Sequence, residues 1–93
     1  MTITVLVPGA LAEYSGGLRQ VTIPGGGTTV AGVFDRLAAD LPALERRIRD
    51  ERTGIRRHVN IYIDGTDIRT LSGTETSVPD GATVHIIAAV SGG

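Results

Sequence analysis

The apolar residues of this sequence change their spacing twice along the chain, and the order of these spacings limits the possible folds. Residues 2–7 and 18–23 largely alternate between apolar and polar side chains, as strands do. The next stretch has apolar side chains at helical spacing, at Val30, Val33, Phe34, Leu37 and Leu41. Alternation returns in residues 59–63 and 83–89. The sequence therefore predicts strands on both sides of a helical region, which is the order of an α+β domain.

Glycine and proline mark the turns between these elements. Pro8-Gly9 ends the first strand, so we expect the first two strands to form a hairpin. Asp64-Gly65 follows the third strand. This residue pair suits a type I′ turn, because both central positions of that turn need positive φ. We expect a short return strand over residues 67–69.

Two helices are predicted between the hairpin and the third strand. Thr29 is a suitable N-cap of the first helix, in which Gly32 costs about 1 kcal/mol relative to alanine. Close contact with the sheet is one reason for a glycine at this position. Pro42 suits the first turn of a second, short helix, which we expect to fade by residues 53–54.

Together these elements predict a β-grasp (ubiquitin-like) fold of the α+β class. A mixed sheet of about five strands would carry one covering helix and a second short helix, with the first and last strands side by side. A chain of 93 residues can build one modest core. We therefore expect a single domain over residues 1–90 and a flexible Ser-Gly-Gly tail over residues 91–93.

Composition and charge argue against several classes of function. The formal net charge of −1 gives no reason to expect nucleic acid or a membrane as a partner. No apolar run approaches the roughly 20 residues that span a bilayer. The apolar stretch near the start is too short for a secretory signal, and no basic residue precedes it, so we expect a cytoplasmic protein. A monomer is the default expectation.

The sequence contains neither cysteine nor lysine, and all nine positively charged side chains are arginines. These absences remove disulfides, cysteine-based metal sites and the thiol and amine side chains that usually carry a group covalently. Among the obvious anchors for a carried group, the carboxylate of the last residue, Gly93, remains.

Three segments of this chain resemble the ThiS/MoaD family of ubiquitin-like sulfur carriers. They are the strand-turn-strand VNIYIDGTDIR at residues 59–69, the turn and strand PDGATVHII at residues 79–87, and the tail AVSGG at residues 89–93. The order of elements is similar over nearly the whole chain. The segment at residues 42–58 makes the chain most similar to CysO-like members of the family.

The resemblance implies a function for the tail. In this family a ubiquitin-activator-like enzyme uses ATP to join the terminal glycine carboxylate to AMP, and sulfur then replaces AMP to give a thiocarboxylate. Here that residue would be Gly93, preceded by Gly92. The thiocarboxylate would donate sulfide to an acceptor on a biosynthetic enzyme, in a pathway of the cysteine, thiosugar, thiazole or molybdopterin type. The chain would be a carrier and not an enzyme, with no bound cofactor, because the partner consumes the ATP.

A glycine tail suits this chemistry. A carboxylate is an anion at neutral pH and a poor electrophile, so it must be activated, and the activating enzyme must keep the adenylate away from water. Gly92 and Gly93 have no Cβ, which makes the tail narrow enough to enter a partner's active site.

An apolar patch on the outer face of the sheet is the predicted docking surface. Strand alternation places Leu6, Tyr62, Ile87 and Ala89 on the face opposite the core. If the first, third and last strands are neighbours, these side chains form one patch. We expect this patch to bind the adenylating enzyme and the sulfur-accepting enzyme. His85 should point outward from the last strand, where it can contact a partner.

Three other features have simpler interpretations. Arginines at positions 46, 47, 49, 52, 56 and 57 are interleaved with acidic residues, which indicates a solvated helical face. The glycines at positions 25–27 lack the Gly-Lys-Ser/Thr ending of a phosphate loop, so we interpret them as a turn. His58 and His85 have no acidic neighbours at metal-ligand spacing, so we expect no metal site.

Three alternative functions fit the same fold. One is the small subunit of molybdopterin synthase, which would co-purify stably with a larger subunit. Another is a non-covalent ubiquitin-like interaction module, for which deletion of Gly92 and Gly93 would not matter. The third is conjugation to target lysines, which isopeptide-linked adducts would support.

Overall fold

The computed structural model describes residues 2–25, 27–50 and 54–88 of the chain. The helices in these ranges are α1 (Val30–Asp40), α2 (Pro42–Ile48) and the short 3₁₀ helices Gly9–Ser15, Ile68–Thr70 and Gly73–Glu75. The strands are β1 (Thr2–Leu6), β2 (Gln20–Pro24), β3 (Thr28–Thr29), β4 (Arg49–Asp50), β5 (Gly54–Ile55), β6 (Val59–Ile63), β7 (Thr66–Asp67), β8 (Ser77–Val78) and β9 (Thr83–Ala88). None of the helices in the described residues has the length and apolar character needed to cross a membrane.

The main sheet contains five of these strands, in the order β2-β1-β9-β6-β7. Its central strands β1 and β9 run parallel, with Val5 opposite Val84. The other neighbouring pairs are antiparallel. The sheet is therefore mixed and has the first and last strands side by side. This arrangement confirms the predicted β-grasp fold.

The core lies between α1 and one face of the main sheet. Burial alternates along β6, so Val59, Ile61 and Ile63 face the core and the residues between them are more exposed. The buried residues of α1 follow helical spacing, at Val30, Val33, Phe34 and Leu37. Each such side chain contributes roughly 1.5–3 kcal/mol when it leaves water. The two apolar periods of the sequence thus correspond to the two layers of the fold.

The start of α1 explains the glycine inside it. The Thr29 side chain caps the helix by accepting a hydrogen bond of 3.1 Å from the Gly32 N–H group. A Cβ at Gly32 would collide with the hydroxyl group of Thr28, which lies on β3 and pairs with Val78 of β8. The close contact is therefore with the small β3–β8 ribbon and not with the main sheet.

Helix α2 begins at Pro42 as predicted but already ends at Ile48, before the expected residues 53–54. The chain after Ile48 extends into a ribbon of β4 and β5, in which Arg49 pairs with Ile55. The Arg56 N–H group then donates to the Ile48 carbonyl oxygen over 2.9 Å. These backbone pairings replace the helical ones, so the predicted helix is too long.

The turn between β6 and β7 has the expected geometry, since Asp64 and Gly65 have φ values of 49° and 89°. The predicted return strand over residues 67–69 is wrong in its position. Strand β7 ends at Asp67, whose side chain accepts a hydrogen bond of 2.9 Å from the Arg69 N–H group. This cap starts the 3₁₀ helix Ile68–Thr70 in place of a longer strand.

The loop between β1 and β2 also has regular structure that the sequence did not predict. It forms the 3₁₀ helix Gly9–Ser15, which buries Leu11 against the core. The Ser15 hydroxyl group is buried and lies within hydrogen-bond distance of two carbonyl oxygens, 2.9 Å from that of Ala12 and 2.6 Å from that of Leu18. These contacts hold the end of the loop where β2 begins.

Candidate functional site

The candidate site begins at the strand that leads to the tail. Strand β9 lies between β1 and β6, and its last residue, Ala88, pairs with Val59 at the start of β6. The predicted carrier residues Gly92 and Gly93, and the predicted docking residue Ala89, lie outside the described residues. Their roles remain predictions. The structure shows the position of Ala88, the residue that precedes them in the sequence.

Three of the four predicted docking residues lie on neighbouring strands around His85. In the main sheet Leu6 pairs with His85 on one side and Tyr62 pairs with His85 on the other. Residues that are paired across neighbouring strands point to the same face. The row Leu6, His85, Tyr62 therefore crosses the centre of the outer face.

Ile87 extends this row toward the tail. It is two positions after His85 on β9, so its side chain lies on the same face, and it pairs with Asn60 of β6. Its side chain is 40% exposed, whereas Leu6 and Tyr62 are half-buried. We call Leu6, Tyr62, His85 and Ile87 the outer patch. The structure brings Leu6, Tyr62 and Ile87 together around His85, and their role in docking stays a prediction.

Polar residues border the outer patch on both sides. Gln20 of β2 pairs with Leu6, and Asp67 of β7 pairs with Tyr62. A hydrogen-bonded ion pair of 2.9 Å joins Asp67 to Arg69. The Arg69 side chain lowers the pKa of Asp67, and Asp67 in turn raises the pKa of Arg69. An apolar centre with a polar rim is the usual composition of a protein interface.

The sequence analysis missed Gln20, Asp67 and Arg69 as members of this border. Strand alternation assigns a face to each residue of one strand but does not say which residues of two strands are neighbours. The register between β6 and β7 brings Asp67 beside Tyr62. A sequence signal was available in the Asp64-Gly65 turn, because a two-residue turn fixes the register of its hairpin.

The arginine-rich segment is only partly a paired helical face. Arg49 forms ion pairs of 2.7 Å with Glu45 and 2.9 Å with Asp35, which joins α2 to α1. Partial burial by itself lowers the pKa of Arg49, but the hydrogen bonds to Glu45 and Asp35 outweigh it and raise the pKa. Arg56 and Arg57 lie beyond the end of α2, so helical spacing does not pair them. Arg52 lies outside the described residues.

The remaining candidates provide no further site within the described residues. The glycine-rich segment connects β2 to β3 and α1, and Gly25 and Gly27 both have positive φ, as a tight turn requires. No group of three or more histidine, aspartate or glutamate residues in this part of the chain is placed to hold a metal ion.

The comparison with protein families identifies the family of this chain. A model described as the ThiS family matches residues 5–93, which is nearly the whole chain. The chain belongs to the ThiS family. The match includes the end of β1, the whole of β9 and the Gly-Gly end of the sequence.

Two relatives of this ThiS-family chain carry the same name. The sulfur carrier protein CysO of Mycobacterium tuberculosis is 34% identical over 95 residues, which cover all of both chains. The crystal structure of the Amycolatopsis orientalis BexX/CysO complex contains a chain that is 32% identical, with a TM-score of 0.86 and coverage of 98% of this chain and 99% of that one. These relatives support a sulfur-carrier role for the present chain.

A third relative shows how widely the fold is shared. The small archaeal modifier protein 1 of Methanosarcina acetivorans is 28% identical, with a TM-score of 0.82 and coverage of 99% of this chain and 96% of that one. The β-grasp fold of the ThiS-family chain is thus also that of a protein named as a modifier. Its likeness confirms the predicted fold class.

Proposed function

We propose that this ThiS-family chain is a sulfur carrier whose Gly93 carboxylate is adenylated by a partner enzyme and converted to a thiocarboxylate. The observation that supports this most strongly is the family match, which extends through the Gly-Gly end at residue 93. The named CysO relatives and the central position of β9 agree with it.

The proposed activation has two steps. A Gly93 carboxylate oxygen attacks the α-phosphorus of ATP, and pyrophosphate leaves, which gives the acyl adenylate. Sulfide from a donor then attacks the acyl carbon, and AMP leaves with the bonding electron pair. The product is a thiocarboxylate at Gly93, whose sulfur is a better nucleophile than the oxygen it replaces.

The proposed donation returns the carrier to its starting state. The thiocarboxylate sulfur attacks an electrophilic carbon of the acceptor, which is bound by a biosynthetic enzyme, and the group that this carbon carried leaves with its bonding electron pair. Hydrolysis of the acyl group then leaves the sulfur on the acceptor and restores the Gly93 carboxylate. The acceptor belongs to a pathway of the cysteine, thiosugar, thiazole or molybdopterin type, and the partner enzyme selects it.

In this proposal the chain is a co-substrate and has no catalytic residue or bound cofactor. Its glycine-rich turn between β2 and α1 lacks the lysine that reaches the phosphates in a phosphate loop, and the partner enzyme binds the ATP. The folded domain has the separate task of presenting the tail to two enzymes in succession.

The outer patch is the proposed docking surface for both enzymes. His85 of β9 lies between Leu6 of β1 and Tyr62 of β6, and Ile87 follows it on β9. A partner that covers this face lies close to Ala88, the last residue of β9, after which residues 89–93 follow in the sequence. Ala89 is proposed as the next member of the same surface.

The carrier proposal is tested by intact-protein mass spectrometry. The protein is incubated with its cognate adenylating enzyme, ATP and a sulfide source. The expected result is a mass gain equal to the difference between sulfur and oxygen, located at Gly93 by fragmentation. A variant without Gly92 and Gly93 is the control and should show no gain. If an active adenylating enzyme leaves the mass unchanged, the chain is a binding module and not a carrier.

A further inference from the structure

A groove on the core side of β6 is separate from the outer patch. Its volume is about 370 Å³. Its floor consists of Val59, Ile61 and Ile68, which are buried and belong to β6 and to the 3₁₀ helix after β7. Ile55 and Thr74 form part of its walls. The groove therefore offers an apolar cavity large enough for one or two side chains of another molecule.

Among the described residues that line this groove, three are arginines and none is acidic. Asp67 offsets the charge of Arg69 through their ion pair. The Arg56 Nε–H group donates to the Arg46 carbonyl oxygen over 2.9 Å, and Arg56 forms no ion pair with another described residue. Within the described residues, Arg57 is exposed and forms no ion pair. Among the residues that the structure describes, no carboxylate thus pairs with these two guanidinium groups beside the apolar cavity.

A second groove continues this basic surface. It has a volume of about 260 Å³ and shares Arg56 with the first groove. Its lining also includes Arg46 and Arg47, and the Arg47 guanidinium lies 4.4 Å from the centre of the Tyr14 ring. The part of its lining that the structure describes contains no acidic residue either. The whole chain has a net charge of −1, so this positively charged surface is a local feature and does not follow from the overall charge.

The rim of the first groove lies at the end of the sheet from which the tail departs. Arg57 is in the turn that the Val59 N–H group closes by donating to the Arg56 carbonyl oxygen over 3.0 Å. Val59 is the residue that pairs with Ala88, the last described residue of β9. A molecule bound in the groove is therefore close to Ala88, the last described residue before the tail. Such a molecule leaves the outer patch uncovered.

We propose that this groove binds an acidic peptide segment of a partner protein, with an apolar side chain in the cavity and carboxylates on Arg56 and Arg57. Charge complementarity is the argument for an acidic occupant, and the buried isoleucine and valine floor is the argument for an apolar anchor. Nucleic acid fits less well, since no aromatic residue lines this groove for base stacking. A flat membrane surface does not reach a concave floor.

This second docking site does not depend on the carrier role of Gly93. A partner that uses both surfaces would contact the outer patch and the groove on opposite sides of β6. Such a partner would bind with higher affinity than one that uses the outer patch alone, because binding at one surface raises the effective concentration of the partner at the other.

The test uses a fluorescein-labelled peptide of alternating aspartate and leucine, with fluorescence anisotropy as the readout. We expect saturable binding that weakens as salt is added. Arg57→Glu should weaken binding about tenfold or more, as expected for reversal of a charge at a binding rim. Arg36→Glu on α1 is the matched control, because it makes the same charge change away from the groove, and it should bind as the unaltered protein does.

Two further measurements separate the groove from general charge attraction. Amide signals of Ile55, Arg57 and Thr74 should shift in ¹⁵N–¹H spectra on peptide addition, and those of Leu6 and His85 should not. A peptide of alternating aspartate and serine should bind more weakly, because it lacks the apolar anchor. The proposal is overturned if peptide binding is not saturable, if both arginine variants lose equal affinity, or if the serine peptide binds as tightly as the leucine peptide. It is also overturned if the amide signals of the outer patch shift on peptide addition. Tighter binding of a poly-uridine oligonucleotide or of an anionic vesicle than of the peptide would overturn it as well.

Discussion

At the scale of single residues, His85 occupies the centre of the outer patch because β9 lies between β1 and β6. Leu6 and Tyr62 are its neighbours on either side, and Ile87 follows it toward the tail. An imidazole between two aliphatic side chains and a tyrosine can donate or accept a hydrogen bond when a partner covers this surface. This combination lets one surface contact both apolar and polar groups of a partner.

Charge placed in the outer patch should prevent activation of the tail. The variant with Leu6→Asp and Ile87→Asp introduces two carboxylates that a docked partner would have to desolvate. We expect it to keep its circular dichroism spectrum and lose at least about tenfold in kcat/KM for adenylation by the partner enzyme. The measurement is ATP-dependent pyrophosphate release at varied carrier concentration.

Leu71→Asp is the matched control for Ile87→Asp. The two side chains are similarly exposed, at 49% and 40%, but Leu71 lies outside the outer patch. Activation should be normal in Leu71→Asp and impaired in Ile87→Asp. Equal activation of both variants, with both folded, would contradict the role of the outer patch.

Most of the outer patch could be predicted from the sequence, because the face to which a strand residue points depends only on its position along that strand. Leu6, Tyr62 and Ile87 were assigned by counting along single strands, and the structure places them together. Gln20 and Asp67 could not be assigned in the same way. Their positions depend on which strands pair and in which register, and the β1–β9 pairing joins opposite ends of the chain.

At the scale of elements, the first turn of α1 has no room for a side chain at Gly32. Gly32→Ala would normally stabilise a helix by about 1 kcal/mol. Here the new methyl group meets the Thr28 hydroxyl group, so we expect a loss of about 1–2 kcal/mol in the free energy of unfolding. Urea denaturation followed by circular dichroism measures this change.

Thr28→Ala provides the control for this contact. In a Thr28→Ala background the obstructing hydroxyl group is gone, so Gly32→Ala should become neutral or stabilising. If Gly32→Ala destabilises the protein equally in both backgrounds, the collision with Thr28 is not the reason for the glycine.

Elements with strong local patterns were predicted, and elements created by long-range pairing were not. Strand β6 and helix α1 follow from apolar periodicity and from their flanking turn and cap. The early end of α2 depends on the pairing of β4 with β5. The 3₁₀ helix Gly9–Ser15 depends on the buried hydroxyl group of Ser15, for which the sequence has no distinctive pattern.

At the scale of the whole molecule, we expect the folded domain to be separate from the proposed reactive end at Gly93. The buried apolar residues identified in the structure, from Ile3 to Ile86, all precede the tail. Deletion of Gly92 and Gly93 should therefore change the free energy of unfolding by less than about 0.5 kcal/mol. The same deletion should abolish thiocarboxylate formation, so the two readouts distinguish a carrier tail from a structural one.

A tail deletion that also lowers stability would contradict this separation. The comparison needs urea denaturation of both proteins at one pH and one temperature, with equal slopes of free energy against urea concentration. A drop of more than about 1 kcal/mol would mean that the tail packs on the domain. The carrier proposal would then need a step in which a partner releases the tail.

The central position of β9 also has a mechanical consequence. A partner that grips the tail pulls along the axis of β9, which is hydrogen-bonded to β1 on one side and to β6 on the other. Such a pull loads these two rows of hydrogen bonds together, in shear. The same pull on a tail that continued from the edge strand β2 or β7 would be resisted by only one such row. The domain can therefore be drawn tightly against an enzyme, and withdrawn from it, without losing its terminal strand.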